Sequence, residues 1–496
     1  MSDAKGRRTG SAPALPTALA GQGHGGGRAS ELLAVSMADS AAAAAAVAAR
    51  QARVAHLSLD SALEEDAGAS SLQAFEAASQ ELQSPIAAVR QGAEAVLLQL
   101  RAPGMEAAQH AIQTCREVLN SSDVPAAQFQ AALAVRDVLM RDWHLLPPEA
   151  LVSLREEMLQ TTISRVLTPP GAVPFVRQQL LQLIALMFKR VWLSDGAGAA
   201  KDALVAQVLQ LLGAPQDSAQ SLGIQLLLAV LNEFSFSRLT AVGMTWEFHL
   251  LARYSFQQDS LLRFFSIIVE WLDAWEGRVG EGSEGAAAAL EMASVVLDWN
   301  FLSKEAAASA PAAGSVWATE SAIKDEVLNP PVSWRSLLTG AGGLRLLNIL
   351  FSGATRHRNN PHLTRHYREA LLGIARLGGG DLWENADVRA GWQQAAIGGT
   401  LAWLQGLQEP PASGDQVRDA CGVLLRLLNG GAGAALSCWG DGGAEGARAV
   451  GVIAQVCVRA CALQNDDGSP YTSTDEVRSA QEEWQQEGVV SALRLW

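Results

Sequence analysis

The spacing of helix starts constrains the fold of this chain more than any other feature. Apolar helical runs open at Ser84-Pro85, Asp123-Val124-Pro125, Val173-Pro174 and Ala214-Pro215, in steps of 40, 49 and 41 residues, and about 44 residues later at Asp259-Ser260. Proline suits the first turn of a helix, where its missing N–H needs no acceptor, and Ser or Asp can cap that turn. A regular period over four intervals predicts stacked repeats rather than an irregular helical globule.

Each interval also contains a second helix, which precedes the proline-marked one. These preceding runs cover 106–119, 147–165, 200–213 and 246–256. Two helices per repeat of about 40–47 residues are typical of HEAT and armadillo proteins. After Pro174 the apolar side chains recur at 3.6-residue spacing on one face, and such a stripe is buried only when helices stack on neighbours. The sequence therefore predicts an all-α fold, an α-solenoid (superhelix) of HEAT/armadillo-like helix pairs.

Composition divides the chain into three segments. Residues 1–70 are rich in Ala, Gly and Ser and have too few large apolar side chains to offset the entropy of ordering, which predicts a disordered tail. Residues 71–280 hold the regular repeats. Residues 281–496 continue the array with loop insertions, and their helical runs are 286–299, 343–352, 361–377, 386–407, 415–428, 444–463 and 473–495. Because the helical pattern still runs at Trp496 without a polar cap, we expect a longer protein with further repeats.

Charge and cysteine usage exclude several classes of protein. The net charge of −14 argues against a nucleic-acid or anionic-membrane binder, since both need a cationic face, and fits a partner with basic patches. Five cysteines without a Cys-x-x-Cys pair favour a reducing compartment over a disulfide framework. The longest apolar runs, such as Leu226–Leu231, are too short to span a bilayer. Because no charged region followed by an apolar one opens the chain, we expect no signal peptide; the Arg-containing, acid-poor opening leaves an organelle transit peptide as the minor alternative.

Chemistry-bearing motifs are weak throughout the chain. There is no phosphate-binding Gly-x4-Gly-Lys-Ser/Thr loop, and the Gly-rich segment 440–446 follows no strand. His362 and His366 have the i, i+4 spacing of zinc ligands, but the Glu that zinc proteases place after the first His is absent, so a solvated polar face is the better interpretation. Cys457 and Cys461 have apolar neighbours and indicate small buried side chains. We predict no enzymatic activity, no cofactor and no metal.

Tryptophans are frequent, with fourteen in the chain. Several of them end helical runs beside apolar neighbours, namely Trp143, Trp192, Trp271 and Trp275. This placement predicts packing between repeats rather than a stacking platform for bases.

Two of the proline-marked helices carry a second, polar stripe. One stripe contains Gln130, Ala134, Asp137 and Arg141, and the next contains Gln178, Gln182, Ala185 and Lys189, both at i, i+4, i+7 and i+11. In a superhelix the second helix of each repeat usually lines the inner surface, so these stripes could face a partner. The alternative is a solvated face with an intrahelical Asp137–Arg141 pair worth a few tenths of a kcal/mol. The residues alone leave both interpretations open.

An ordered set of short segments indicates a family. The segments are Ala93–Leu98, Cys115–Leu119, Phe129–Ala132, Arg141–Trp143, Pro174–Gln179, Lys189–Arg190, Leu231–Ser235, Trp246–His249, Val296–Leu302 and Ser333–Arg335. In this order they resemble the N-terminal part of the karyopherins of the importin-β superfamily, and within it the exportin-4 family. The likeness covers about residues 80–350 well and the remainder loosely.

The resemblance implies a nuclear transport receptor that is not an enzyme. Such a receptor binds cargo protein together with Ran-GTP, passes the nuclear pore by contacting pore proteins, and shuttles between nucleus and cytoplasm. By resemblance, the cargo would be a hypusine-bearing translation factor or a Smad-like protein, with no nucleic acid bound and no membrane insertion. In karyopherins the inner helices of the first repeats meet Ran. That role would fall here to Gln130, Asp137, Arg141, Gln178, Gln182 and Lys189. The alternative is a non-transport HEAT-repeat scaffold or adaptor, which would share the period and the acidity.

Overall fold

The computed structural model describes residues 67–168, 171–194, 197–235, 244–277, 283–303, 327–406 and 414–430. Within these ranges the chain is helical and contains no β-strand, apart from an isolated bridge between Leu328 and Leu377. The predicted tail lies outside the described residues up to position 66, and residues 67–70 already belong to a helix, contrary to the prediction. The predicted runs 444–463 and 473–495 also lie outside.

The chain divides into two compact units, Met1–Gln99 and Leu100–Trp496. In the first unit, α1 (Ala67–Glu81) packs against α2 (Ala87–Gln99). The described helices of the second unit are α3 (Met105–Ser121), α4 (Pro125–Asp142), α5 (Pro148–Leu167), α6 (Pro174–Val191), α7 (Ala197–Leu212), α8 (Asp217–Phe234), α9 (Trp246–Asp259), α10 (Leu261–Glu276), α11 (Ser283–Leu297), α12 (Arg335–Leu338), α13 (Gly340–Arg356), α14 (Pro361–Ile374), α15 (Ala386–Gly406) and α16 (Gly414–Gly430).

Helices of the second unit form two rows. In the second row, α4, α6, α8, α11, α14 and α16 pack one on the next. The first row consists of α3, α5, α7, α10, α13 and α15, and each packs on the second-row helix that follows it in the chain. The apolar stripe of α6 is buried as expected, since Val176, Leu183 and Ile184 have no exposed surface. The prediction of an all-α solenoid of helix pairs is confirmed.

Proline marks the helix starts closely, but the caps differ from the prediction. Helices α4 and α6 begin at Pro125 and Pro174, whereas Pro85 and Pro215 each precede their helix by two residues. The N-cap of α4 is Val124 rather than Asp123, and its side chain makes no capping hydrogen bond. Helix α9 is capped by a side chain, because the Thr245 hydroxyl accepts from the Phe248 N–H at 3.2 Å.

The row assignment of the fifth repeat differs from the prediction. The period placed the helix after Ser260 in the second row, but the helix that packs on α8 is α11, whereas α10 belongs to the first row. Small side chains explain this choice. A Cβ on Gly285 would meet the Ser221 Cα at 3.4 Å, and Ala286 and Ala289 are fully buried, so α11 approaches α8 closely. The sequence period therefore predicts where a helix starts, but it does not predict which of the two rows the helix belongs to.

Arginines join successive repeats at helix C-termini, where the last carbonyls have no partner within their own helix. Arg165 on α5 donates to the Leu119 carbonyl at the end of α3 at 2.9 Å. Arg190 on α6 donates to the Met140 carbonyl on α4, also at 2.9 Å. A cation there also interacts favourably with the negative end of the helix dipole. Much of the positive charge of this acidic chain therefore lies in contacts between repeats.

Over the described ranges, no single helix is long and apolar enough to span a membrane. The pair Val332–Leu338 and Gly340–Arg356, bent by 53°, has the necessary length and composition only when taken together.

Candidate functional site

Five consecutive second-row helices line one groove of about 720 Å³. Its polar lining includes Arg136 on α4, Gln178 and Gln182 on α6, Gln225 and Asn232 on α8, Glu284 and Glu291 on α11, and His362 on α14. Its apolar part comes from Leu181, Leu186, Leu228, Ala229, Ala287 and Ala288. The groove lining therefore combines apolar side chains with polar and charged ones, as protein–protein interfaces do.

An ion pair crosses the groove. The Arg177 guanidinium at the start of α6 hydrogen-bonds the Glu284 carboxylate at the start of α11. These helices are not neighbours in the second row, because α8 lies between them. Side chains of repeats two positions apart therefore meet on this face.

Two of the predicted site residues lie in the groove. Gln178 and Gln182 are exposed, one helical turn apart, and both line it. Their amides can donate and accept hydrogen bonds without bringing a net charge. Gln130 is half-buried on α4 and lies outside the groove lining.

Asp137 and Arg141 line a different cavity, of about 600 Å³, near the C-terminal ends of α4 and α6. The intrahelical pair between them is replaced by other partners. Asp137 pairs with Arg101 at 3.3 Å, and Arg141 pairs with Asp142 at 2.6 Å. Arg141 also donates to the carbonyls of Arg101 and Ala102.

Lys189 belongs to the predicted polar stripe, but its side chain is buried. It is 3% exposed, and its ammonium donates to the Glu233 backbone carbonyl at the end of α8. Burial lowers the pKa of Lys189, and the Glu233 carboxylate opposes that shift. Arg141 reaches back to residues before α3, whereas Lys189 reaches forward onto α8. Equal positions within the two polar stripes therefore did not bring these two cations onto one surface.

Several groove residues were not predicted. Glu284 and Glu291 were missed because α11 was not assigned to the second row, although the run of alanines from Ala286 to Ala289 indicated close helix packing. His362 was interpreted as part of a solvated face, and it is indeed exposed, but it lies at the groove edge.

The neighbouring His366 is half-buried, and burial lowers its pKa although Glu369 and Glu291 act in the opposite direction. The rings of His362 and His366 are 5.3 Å apart. Within the described ranges no group of three or more His, Cys, Asp or Glu side chains is arranged to hold a metal. Cys457 and Cys461 lie outside those ranges.

Tryptophan packing between repeats is confirmed for Trp192 and Trp275, which are 2% and 5% exposed. The Trp192 ring lies 4.7 Å from the ring of Phe234 and 5.4 Å from that of Phe256, so it joins α6 to α8 and α9. Trp143 is half-buried, and the Arg190 guanidinium lies 5.3 Å from its ring centre.

Comparison with known proteins identifies the family of this chain. The family model described as Exportin-4 matches residues 68–406, which is more than half of the chain. Exportin-4 from Dictyostelium discoideum is 22% identical over 288 residues, covering 52% of this chain and 24% of that protein. The chain thus spans about a quarter of the length of this curated relative. The matched range extends from α1 to α15 and includes every helix that lines the groove, and the chain belongs to the exportin-4 family.

Proposed function

We propose that this protein is a nuclear export receptor that binds a cargo protein together with Ran-GTP, and that Ran-GTP docks in the groove along the second-row helices. The observation that carries the proposal is the continuous lining of this groove by α4, α6, α8, α11 and α14 in a chain of the exportin-4 family. A groove that draws on five repeats offers a folded partner a large surface built on rigid helices.

The composition of the groove supports a protein partner. Its lining contains apolar side chains, neutral amides and charges of both signs, and it carries no dominant positive charge. Interfaces between proteins combine apolar and polar groups in this way. A net charge of −14 is unfavourable for binding nucleic acid or an anionic membrane.

The proposed Ran contacts change in the light of the structure. Gln178 and Gln182 remain the central candidates, and Arg136 joins them from α4. Gln130, Asp137 and Arg141 stay predictions for the edge of the contact, and Lys189 is withdrawn because it is buried. The receptor would shuttle between nucleus and cytoplasm, contact pore proteins, and carry a hypusine-bearing translation factor or a Smad-like protein.

Blocking the groove tests this assignment. The double variant Gln178→Trp/Gln182→Trp changes two exposed positions and places two large rings in the groove. Gln160→Trp is the matched control, because Gln160 is exposed on the first-row helix α5. We expect the double variant to weaken binding to Ran loaded with a GTP analogue by about tenfold or more, since hot-spot contacts at an interface centre are worth 2 kcal/mol or more. The control should bind as wild type does. Unchanged binding by the double variant would reject the groove as the Ran site.

A further inference from the structure

A second cavity, which shares Arg136 with the groove, is lined by four arginines. It has a volume of about 600 Å³ and lies near the C-terminal ends of α4 and α6. The arginines are Arg101, Arg136, Arg141 and Arg190. Trp143 and His144, from the turn that follows α4, complete one side.

Arg136 and Arg190 retain guanidinium donors that the described part of the fold does not use. Arg136 makes no ion pair or hydrogen bond with the described part of the chain. Arg190 uses one terminal nitrogen on the Met140 carbonyl, but its Nε is buried and has no acceptor among the described residues. A buried N–H without a partner is costly, so an acceptor that entered the cavity would be stabilised there.

The net charge around this cavity is opposite in sign to the net charge of the whole chain. Among the described residues that line the cavity or pair with its arginines, the carboxylates are those of Asp137 and Asp142, which leaves an excess of two positive charges in a chain of net charge −14. Burial also lowers the pKa of Arg190, so its charge is poorly solvated and gains from a nearby anion.

We propose that this cavity binds the phosphoryl group of a phosphorylated serine or threonine on a partner protein. A phosphoryl group carries a charge close to −2 near neutral pH and three strong acceptor oxygens, which matches both the local excess charge and the free donors. Planar guanidinium groups recognise phosphate through two parallel hydrogen bonds. Long polyanions such as nucleic acids are unsuitable, because the chain as a whole has a net charge of −14.

The test measures fluorescence anisotropy of a labelled peptide with degenerate flanking sequence and one central phosphoserine. The same peptide with serine or with aspartate at the centre serves for comparison. We expect the phosphoserine peptide to bind the full chain about tenfold more tightly than the serine peptide, as charge-assisted hydrogen bonds predict. Inorganic phosphate should displace it.

Arg136→Gln should abolish this preference without unfolding the chain, because Arg136 makes no ion pair or hydrogen bond with the described residues. Arg263→Gln is the matched control, since Arg263 is an exposed arginine on α10 that pairs with Asp202 at 3.4 Å, remote from the cavity. It should keep the preference. Equal binding of the serine and phosphoserine peptides, equal binding of the aspartate peptide, or an equal loss in both variants would overturn the proposal. The measurement contains no Ran, so its outcome is independent of the proposed receptor function.

Discussion

The ammonium of Lys189 lies 3.4 Å from a carboxylate oxygen of Glu233, and the two side chains are only 3% and 8% exposed. The pair joins α6 to α8 next to the ring of Phe234, whose centre is 5.7 Å from the ammonium. Two charges at such depth have lost most of their hydration. The pair is therefore a buried contact that links one repeat to the next.

Lys189→Met should destabilise the protein by about 3–5 kcal/mol, because it removes a buried cation that pairs with the buried Glu233 carboxylate. The double variant Lys189→Met/Glu233→Leu should regain most of that loss, since an apolar pair of similar volume needs no compensation. Urea denaturation of the two variants and wild type measures both effects. Equal stability of wild type and Lys189→Met would mean that the pair does not hold the repeats together.

His249 predicts a pH dependence of stability. Burial lowers its pKa to about 4, with Lys189 and Arg190 acting in the same direction, and neither ring nitrogen has a partner among the described residues. Below pH 6.5 the unfolded chain protonates this imidazole while the folded chain does not. Its contribution to stability is therefore complete above about pH 6.5 and is lost as the pH falls toward 4, by about 3 kcal/mol in all.

The variant His249→Leu isolates this effect from the carboxylates that also titrate. Urea denaturation at about pH 7.5 and about pH 4.5 should show wild type losing about 2–3 kcal/mol more than the variant does. At the higher pH the variant should be at least as stable as wild type, because the unpartnered nitrogens are gone. Parallel losses in both proteins would show that His249 is not buried as described.

Two helical glycines predict opposite responses to alanine. A Cβ on Gly353 in α13 would lie 2.3 Å from the Tyr367 ring, whereas a Cβ on Gly398 in α15 would meet nothing within 4 Å. Gly353→Ala should therefore cost about 1–3 kcal/mol through overpacking. Gly398→Ala should gain up to about 1 kcal/mol, since alanine favours the helix. Thermal unfolding of the two variants compares them directly, and a gain for both would contradict the close contact of α13 with α14.

The sequence predicts those features of the fold that a residue determines locally, and it does not predict those that depend on a distant residue. Proline fixes its own backbone, so Pro125 and Pro174 located two helix starts to the residue. The row that α11 joins depends on the close approach of Gly285 to Ser221 on α8. These residues are far apart in the chain, so the sequence around either one does not predict the contact. Lys189 lies on the polar stripe of its helix, yet its side chain is buried because it pairs with Glu233, which lies one repeat further along the chain.

Sequence reasoning located groove residues whose exposure follows from the pattern of a single helix. It missed residues that come together only when several helices pack. Gln178 and Gln182 face the groove because they belong to the exposed stripe of α6, which the helical period predicts. The arginine-lined cavity brings Arg101, Arg136 and Arg190 together from three places in the chain. Only the stacking of repeats creates such a cluster.

The nucleotide preference for Ran tests the central claim most directly. The dissociation constants of this chain for Ran loaded with a GTP analogue and for Ran loaded with GDP should be measured side by side. A receptor of the proposed kind should prefer the GTP state by at least about tenfold, which corresponds to about 1.4 kcal/mol. A non-transport scaffold with the same repeats would bind both forms equally or neither, and that result would contradict the proposed function.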